Sequence, residues 1–116
     1  MEPTTINSII EYFEGAVAER KPLSPQTWID GAAKLNVLKG EEYDKLFLLE
    51  QACAKMEAEF LERDMTSARA KTFVKSSESW LAYKKQQARV KQIEDFILLA
   101  KKQASLTMEA MRNNLE

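Results

Sequence analysis

The sequence has no histidine, a single cysteine (Cys53), and no glycine or proline after Gly40. Without histidine it lacks the commonest general base, metal ligand and activator of a nucleophile. One cysteine excludes an internal disulfide, and Cys53 stands in an apolar stripe where nothing would lower its pKa. It therefore reads as a small hydrophobe rather than a nucleophile. The six breakers, Pro3, Gly15, Pro22, Pro25, Gly31 and Gly40, are isolated, so no phosphate-binding loop or dinucleotide fingerprint is present. A di-iron bundle would need Glu-x-x-His repeats, which cannot occur here.

Long apolar runs are also missing. None approaches the ~20 residues that span a bilayer. Met1-Glu2-Pro3-Thr4-Thr5 lacks the basic start and apolar core of a signal peptide. These absences predict a soluble chain of a reducing, cytoplasm-like compartment, or, for a viral chain, of the host cytoplasm or virion. Neighbouring carboxylates occur at Glu41/Glu42, Glu57/Glu59 and Glu94/Asp95. With no apolar cleft around them they read as solvated helix surface, not as an acid/base couple. The expectation is a non-enzyme with no cofactor, no metal and no small-molecule substrate.

What is present is helix. The 116 residues are 45% hydrophobic and 30% charged, a globular balance that fits one helical domain. Period-two alternation of β-branched residues is absent, so strands are not expected. Thr4 or Thr5 can cap a first helix whose apolar face is Ile6, Ile9, Ile10, Phe13 and Val17. Arg20-Lys21-Pro22-Leu23 breaks it, and Ser24-Pro25 restarts a short second helix bearing Trp28, Ile29, Ala32, Ala33 and Leu35. Gly40 is placed to end that helix in a left-handed turn. Residues 1–40 thus predict two short helices.

The 76 residues after Gly40 contain neither strong breaker. An acidic helix over residues 41–64 carries Leu46, Leu49, Cys53, Met56 and Phe60 in steps of three and four. Asp64, Thr66 and Ser67 are good N-cap types and mark a turn. A long basic helix over 66–112 follows, its weakest point being Ser76-Ser77-Glu78-Ser79, where a kink is possible. Its stripe reads Phe73, Trp80, Tyr83, Val90, Ile93, Ile97, Ala100, Ala104, Met108 and Met111. Net charge is −5 over residues 41–65 and +5 over 66–116, so charge and pattern agree on an antiparallel hairpin. The fold predicted is all-α: two short N-terminal helices plus a long antiparallel helical hairpin.

Counting back from the turn sets Leu48 level with Ala82 and Glu41 level with Arg89. Everything after about Val90 then overshoots the start of the third helix. Yet Phe96-Ile97-Leu98-Leu99-Ala100 is apolar on every side, and such a helix needs cover on more than one. Two short helices can shield one side. Phe96, Leu99, Leu106, Met108 and Met111 are accordingly the candidate binding residues for a protein partner or a homo-oligomer.

Lys84, Lys85, Arg89 and Lys91, with Lys101 and Lys102 beyond, form the alternative candidate, a phosphate-binding face beside Trp80 and Tyr83. Against it, Asp44, Glu50, Glu57 and Glu59 on the facing helix can neutralise much of that charge. Trp28 could anchor a partner but more often seals a small core. The lysines of the last helix are spread among apolar positions, which argues against a membrane surface.

With Glu42-Tyr43-Asp44-Lys45-Leu46-Phe47 opening one long helix and Phe96 to Lys102 late in another, the chain resembles the short helical accessory and structural proteins of tailed bacteriophages. The resemblance covers residues 25–112 in style and carries over no functional residue. It implies assembly, inhibition or scaffolding through protein contacts.

Overall fold

The computed structural model describes residues 4–115, and their regular structure is entirely α-helical. The start Met1-Glu2-Pro3, part of the segment read above for a signal, lies outside them. Four helices follow in order: α1 (Ile6–Ala18), α2 (Pro25–Glu62), α3 (Ser67–Lys75) and α4 (Glu78–Leu115).

Local chemistry accounts for the helix ends. Thr5 caps α1 by accepting from the Ser8 N–H, while the Ser8 hydroxyl accepts from the Thr5 N–H. Ser24 accepts from the Thr27 N–H just before Pro25, whose missing N–H costs nothing at the first helical position. Thr66 caps α3 through the Arg69 N–H. Ser77 caps α4 through the Trp80 N–H.

Two expectations need correction. Gly40 does not end a helix: α2 runs through it without a break, and no described glycine has a positive φ. The left-handed stops are instead non-glycine residues, Arg20 (φ 55°) after α1 and Asp64 (φ 61°) after α2. Beyond each, an N–H reaches back five residues, from Lys21 to the Ala16 carbonyl and from Met65 to the Phe60 carbonyl. Asp64 is therefore a stop and Thr66 the restart. The second correction is that the helix expected over 66–112 is two. Ser76 and Ser77 hydroxyls bond back to the Thr72 and Val74 carbonyls, and α3 closes there.

The chain forms two compact units, both of which α2 and α4 enter. One unit comprises the chain up to Gly40 and from Gln92 onward. Its core joins Ile6, Ile9, Ile10 and Phe13 of α1, Trp28, Ala32 and Leu35 of α2, and Ile93, Ile97, Ala100 and Ala104 of α4. Phe13 is stacked on Trp28 with ring centroids 4.6 Å apart and touches Phe96 at 5.8 Å. Gly31 lies under the Phe13 ring, where a Cβ would collide with it. Trp28 is thus a core seal. Val17, expected on the apolar face of α1, is exposed instead.

The other unit spans Glu41–Lys91. Its buried apolar side chains are Cys53, Ala70, Val74 and Val90, all small or medium. Leu46, Leu49, Met56 and Phe60 of α2 are half-buried, so the expected stripe is the inward one but only partly covered. Leu48 points to solvent. Here α2 and α4 run antiparallel, for Glu42 meets Gln86 and Arg89 while Glu57 and Trp80 line one groove. Arg89 sits one residue from the register that sequence counting gave.

Candidate interaction surfaces

Three surfaces hold the side chains with functional potential. The first is the end of α4. Its last buried residue is Ala104, yet the helix continues to Leu115, about three turns further. From Ser105 to Asn114 every side chain is exposed except half-buried Thr107. Phe96, one of the five expected partner-binding residues, packs partly into the core beside Phe13. The other four, Leu99, Leu106, Met108 and Met111, are 44–54% exposed. Leu98, not singled out from sequence, is more exposed still.

These residues divide by face. At 100° per residue, Met111 continues the buried line of Ile93, Ile97, Ala100 and Ala104 past the end of its cover, with Met108 beside that line. Leu99 and Leu106, seven apart, share a different face, about 140° round the helix from that line. Beside Leu99 a mainly apolar groove of about 240 Å³ opens between the helices, walled by Phe13, Val17, Ala18, Trp28 and Phe96, with Glu14 also lining it. Sequence reading missed Val17 and Ala18 as groove residues. The only available signal was that Val17 follows Phe13 by a full turn, which gives a face and not its coverage.

The second surface is a polar layer around Glu42. This carboxylate is buried. Gln86 donates through Nε2 to its Oε2 at 2.6 Å and to its backbone carbonyl at 2.9 Å. Lys45 and Arg89 each approach Oε1 at 3.5 Å. The Gln86 hydrogen bond is the main reason the Glu42 carboxyl is held below the usual carboxylate range; burial opposes it, and Lys45 and Arg89 reinforce it. The reading of Glu41/Glu42 as solvated surface is right for Glu41 and wrong for Glu42.

The third surface gathers cations and aromatics. Trp80 and Tyr83 lie with ring centroids 5.4 Å apart, and the Lys84 ammonium stands 4.9 Å from the Trp80 centroid and 5.7 Å from that of Tyr83. A groove of about 200 Å³ beside Trp80 is walled by Glu57, Lys71, Val74 and Lys75. The four expected basic residues are not one face. Lys84 and Lys91 point away from the seam, Lys85 lies beside Arg89, and Arg89 is half-buried and spent on Glu42. Among the described residues no ion pair joins Asp44, Glu50, Glu57 or Glu59 to Lys84, Lys85 or Lys91.

The chain matches no protein-family model, no curated protein and no solved structure.

Remaining chemistry is sparse. Burial pushes the Cys53 thiol above its ordinary value, which makes it less nucleophilic. Among the described residues no three Cys, Asp or Glu side chains converge as a metal would require, and no helix is long and apolar enough to cross a membrane.

Proposed function

We propose that this is a non-enzymatic helical interaction protein that binds another protein surface through the C-terminal half of α4. One observation carries the reading. A helix of ordinary polarity would fray once its cover ended, because an isolated three-turn helix is marginal in water. Here the uncovered turns of α4 present Leu106, Met108 and Met111, next to exposed Leu98 and Leu99. Uncovered apolar side chains concentrated at one end of a helix, here on more than one of its faces, are characteristic of an interface. An assembly or scaffolding role agrees with it, and is the kind of role that the likeness to phage accessory proteins implies.

The test is photo-crosslinking from positions 106 and 111 in cells expressing the full chain. Adducts to a defined protein, a second copy included, are expected, and Leu106→Glu or Met111→Glu should deplete them. No adduct from either position would remove the reading.

The Trp80 groove supports a second reading, a nucleic-acid accessory role. Lys71, Lys75 and Lys84 surround one aromatic platform, and bases stack on such platforms while cations follow the phosphates. Fluorescence anisotropy with single-stranded DNA and RNA should then show salt-dependent binding lost in Trp80→Ala. No binding at low salt refutes it.

A further inference from the structure

We propose that the occupant of the α4 surface is a second copy of this chain, docked antiparallel α4 to α4 along Phe96, Leu99, Gln103, Leu106 and Ala110. This rests on the interaction reading above and names its partner. The five positions follow steps of three and four, the spacing at which one helix seats knobs into another. They form a line about 110° round the helix from the buried Ile97, Ala100 and Ala104; Leu99, Leu106 and Ala110 on it are exposed, while Phe96 and Gln103 are half-buried at its edge.

Charge selects the register. Asp95, Lys102 and Glu109 flank the open line at intervals of seven, all exposed and none in an ion pair with a described residue. Setting Leu99 against Ala110 of the second copy, and Gln103 against its Leu106, brings Lys102 beside Glu109 of the other copy twice over. Sliding by one heptad so that Leu99 meets Gln103 puts Lys102 beside Lys102 and Asp95 beside Glu109. That arrangement is repulsive.

A further heptad restores attraction, through Asp95 and Lys102. It also sets the covered stretch of one α4 alongside the covered stretch of the other, where each already carries its own α1, and leaves both ends bare. Only the first register places the uncovered end of each α4 against the other copy's Phe96–Gln103 stretch. That end then closes over the apolar groove at Val17, Ala18, Phe96 and Leu99. Each copy offers what the other lacks, as a two-fold interface requires.

Sedimentation analysis of the full chain over a wide concentration range tests this. The wild type should be a reversible dimer. Leu106→Glu, on a side chain outside the core, should give a monomer with unchanged helicity. Lys102→Glu and Glu109→Lys should each weaken self-association about ten-fold or more, two attractive pairs having become repulsive. Mixing those two variants should restore dimers, because each then supplies the charge the other needs. A wild type that stays monomeric overturns the proposal, as does a dimer indifferent to Leu106→Glu, or a mixture no tighter than its components. If the wild type is monomeric while position 106 still crosslinks to a different protein, the second-copy proposal fails and the interaction reading stands.

Discussion

Glu42 shows how much one buried side chain can decide. It occupies an inward position of α2, in step with Leu35, Leu46, Leu49 and Cys53, and meets Gln86, which is in step with Val90, Ile93 and Ile97 on α4. A polar pair inside a largely apolar seam contributes less to stability than two leucines would, but it penalises every register that separates the partners. Replacing Glu42 with Ala should cost about 2 kcal/mol, since Gln86 and Arg89 lose a charged acceptor in a half-buried site. The pH dependence has a definite sign. A carboxyl held low in the folded chain stabilises it above the unfolded value, and that contribution is lost as pH falls through the folded one. Denaturant titrations should therefore find wild type more stable than Glu42→Gln at neutral pH, with the gap closing below about pH 4. A gap that persists at low pH would mean shape, not charge, matters there. Gly31 is the second decisive residue. Any Cβ enters the Phe13 ring, so Gly31→Ala should lose about 1–2 kcal/mol despite alanine's better helix propensity.

Helices were read from the sequence far better than their ends. The Thr5 and Ser24 caps, the Arg20 break and most of the inward stripes are written in side chains that act locally, on their own or the next turn, although Val17, Ile29, Ala33 and Phe73, counted inward, are exposed. Gly40 misled because glycine's preference for a helix end is only about 1 kcal/mol, small against the packing of a continuous face. The informative signal was phase. Trp28, Ala32, Leu35, Lys39, Glu42, Leu46, Leu49, Cys53, Met56 and Phe60 keep one alternation of four and three straight through residue 40. A turn would have reset it. The charged members of that line hid it, because Lys39 and Glu42 were not counted among apolar positions. Gly40→Ala gives a decisive test: a Cβ there meets nothing within 4 Å, and the residue is exposed inside a helix. The substitution should raise stability by about 1 kcal/mol, or roughly 4 °C in thermal midpoint. Had Gly40 been a left-handed stop, the same change would destabilise the chain. At Ser76-Ser77 the sequence signal and the break coincide, since hydroxyls that bond backward and forward compete directly with helix continuation.

On the scale of the whole chain, the two units differ in what they bury. The unit built from residues up to 40 and from 92 onward holds the largest fully enclosed side chains among the described residues, Ile9, Leu35 and Ile93, around a ring stack. The Glu41–Lys91 unit encloses Cys53, Ala70, Val74 and Val90 and leaves Phe47, Leu48, Leu61, Phe73 and Leu81 largely exposed. Burial of apolar surface is the main favourable term in folding, at about 25 cal/mol per Å², so local opening should be easier in the second unit. Sequence could not reveal this, because both stretches carry equally regular stripes and coverage depends on which helices lie against them. Native-state amide exchange should follow the difference along single continuous helices. In α2 the amides near Leu35 should outlast those near Met56, and in α4 those near Ile97 should outlast those near Leu81. Uniform protection along either helix would show that the units open together. The amides after Ala104 provide the link to function. They should exchange fastest of all in dilute protein, where no side chain covers their turns, and slow as concentration rises if a second copy closes over them. Protection of that end that does not change with concentration would place its stabilisation within the single chain.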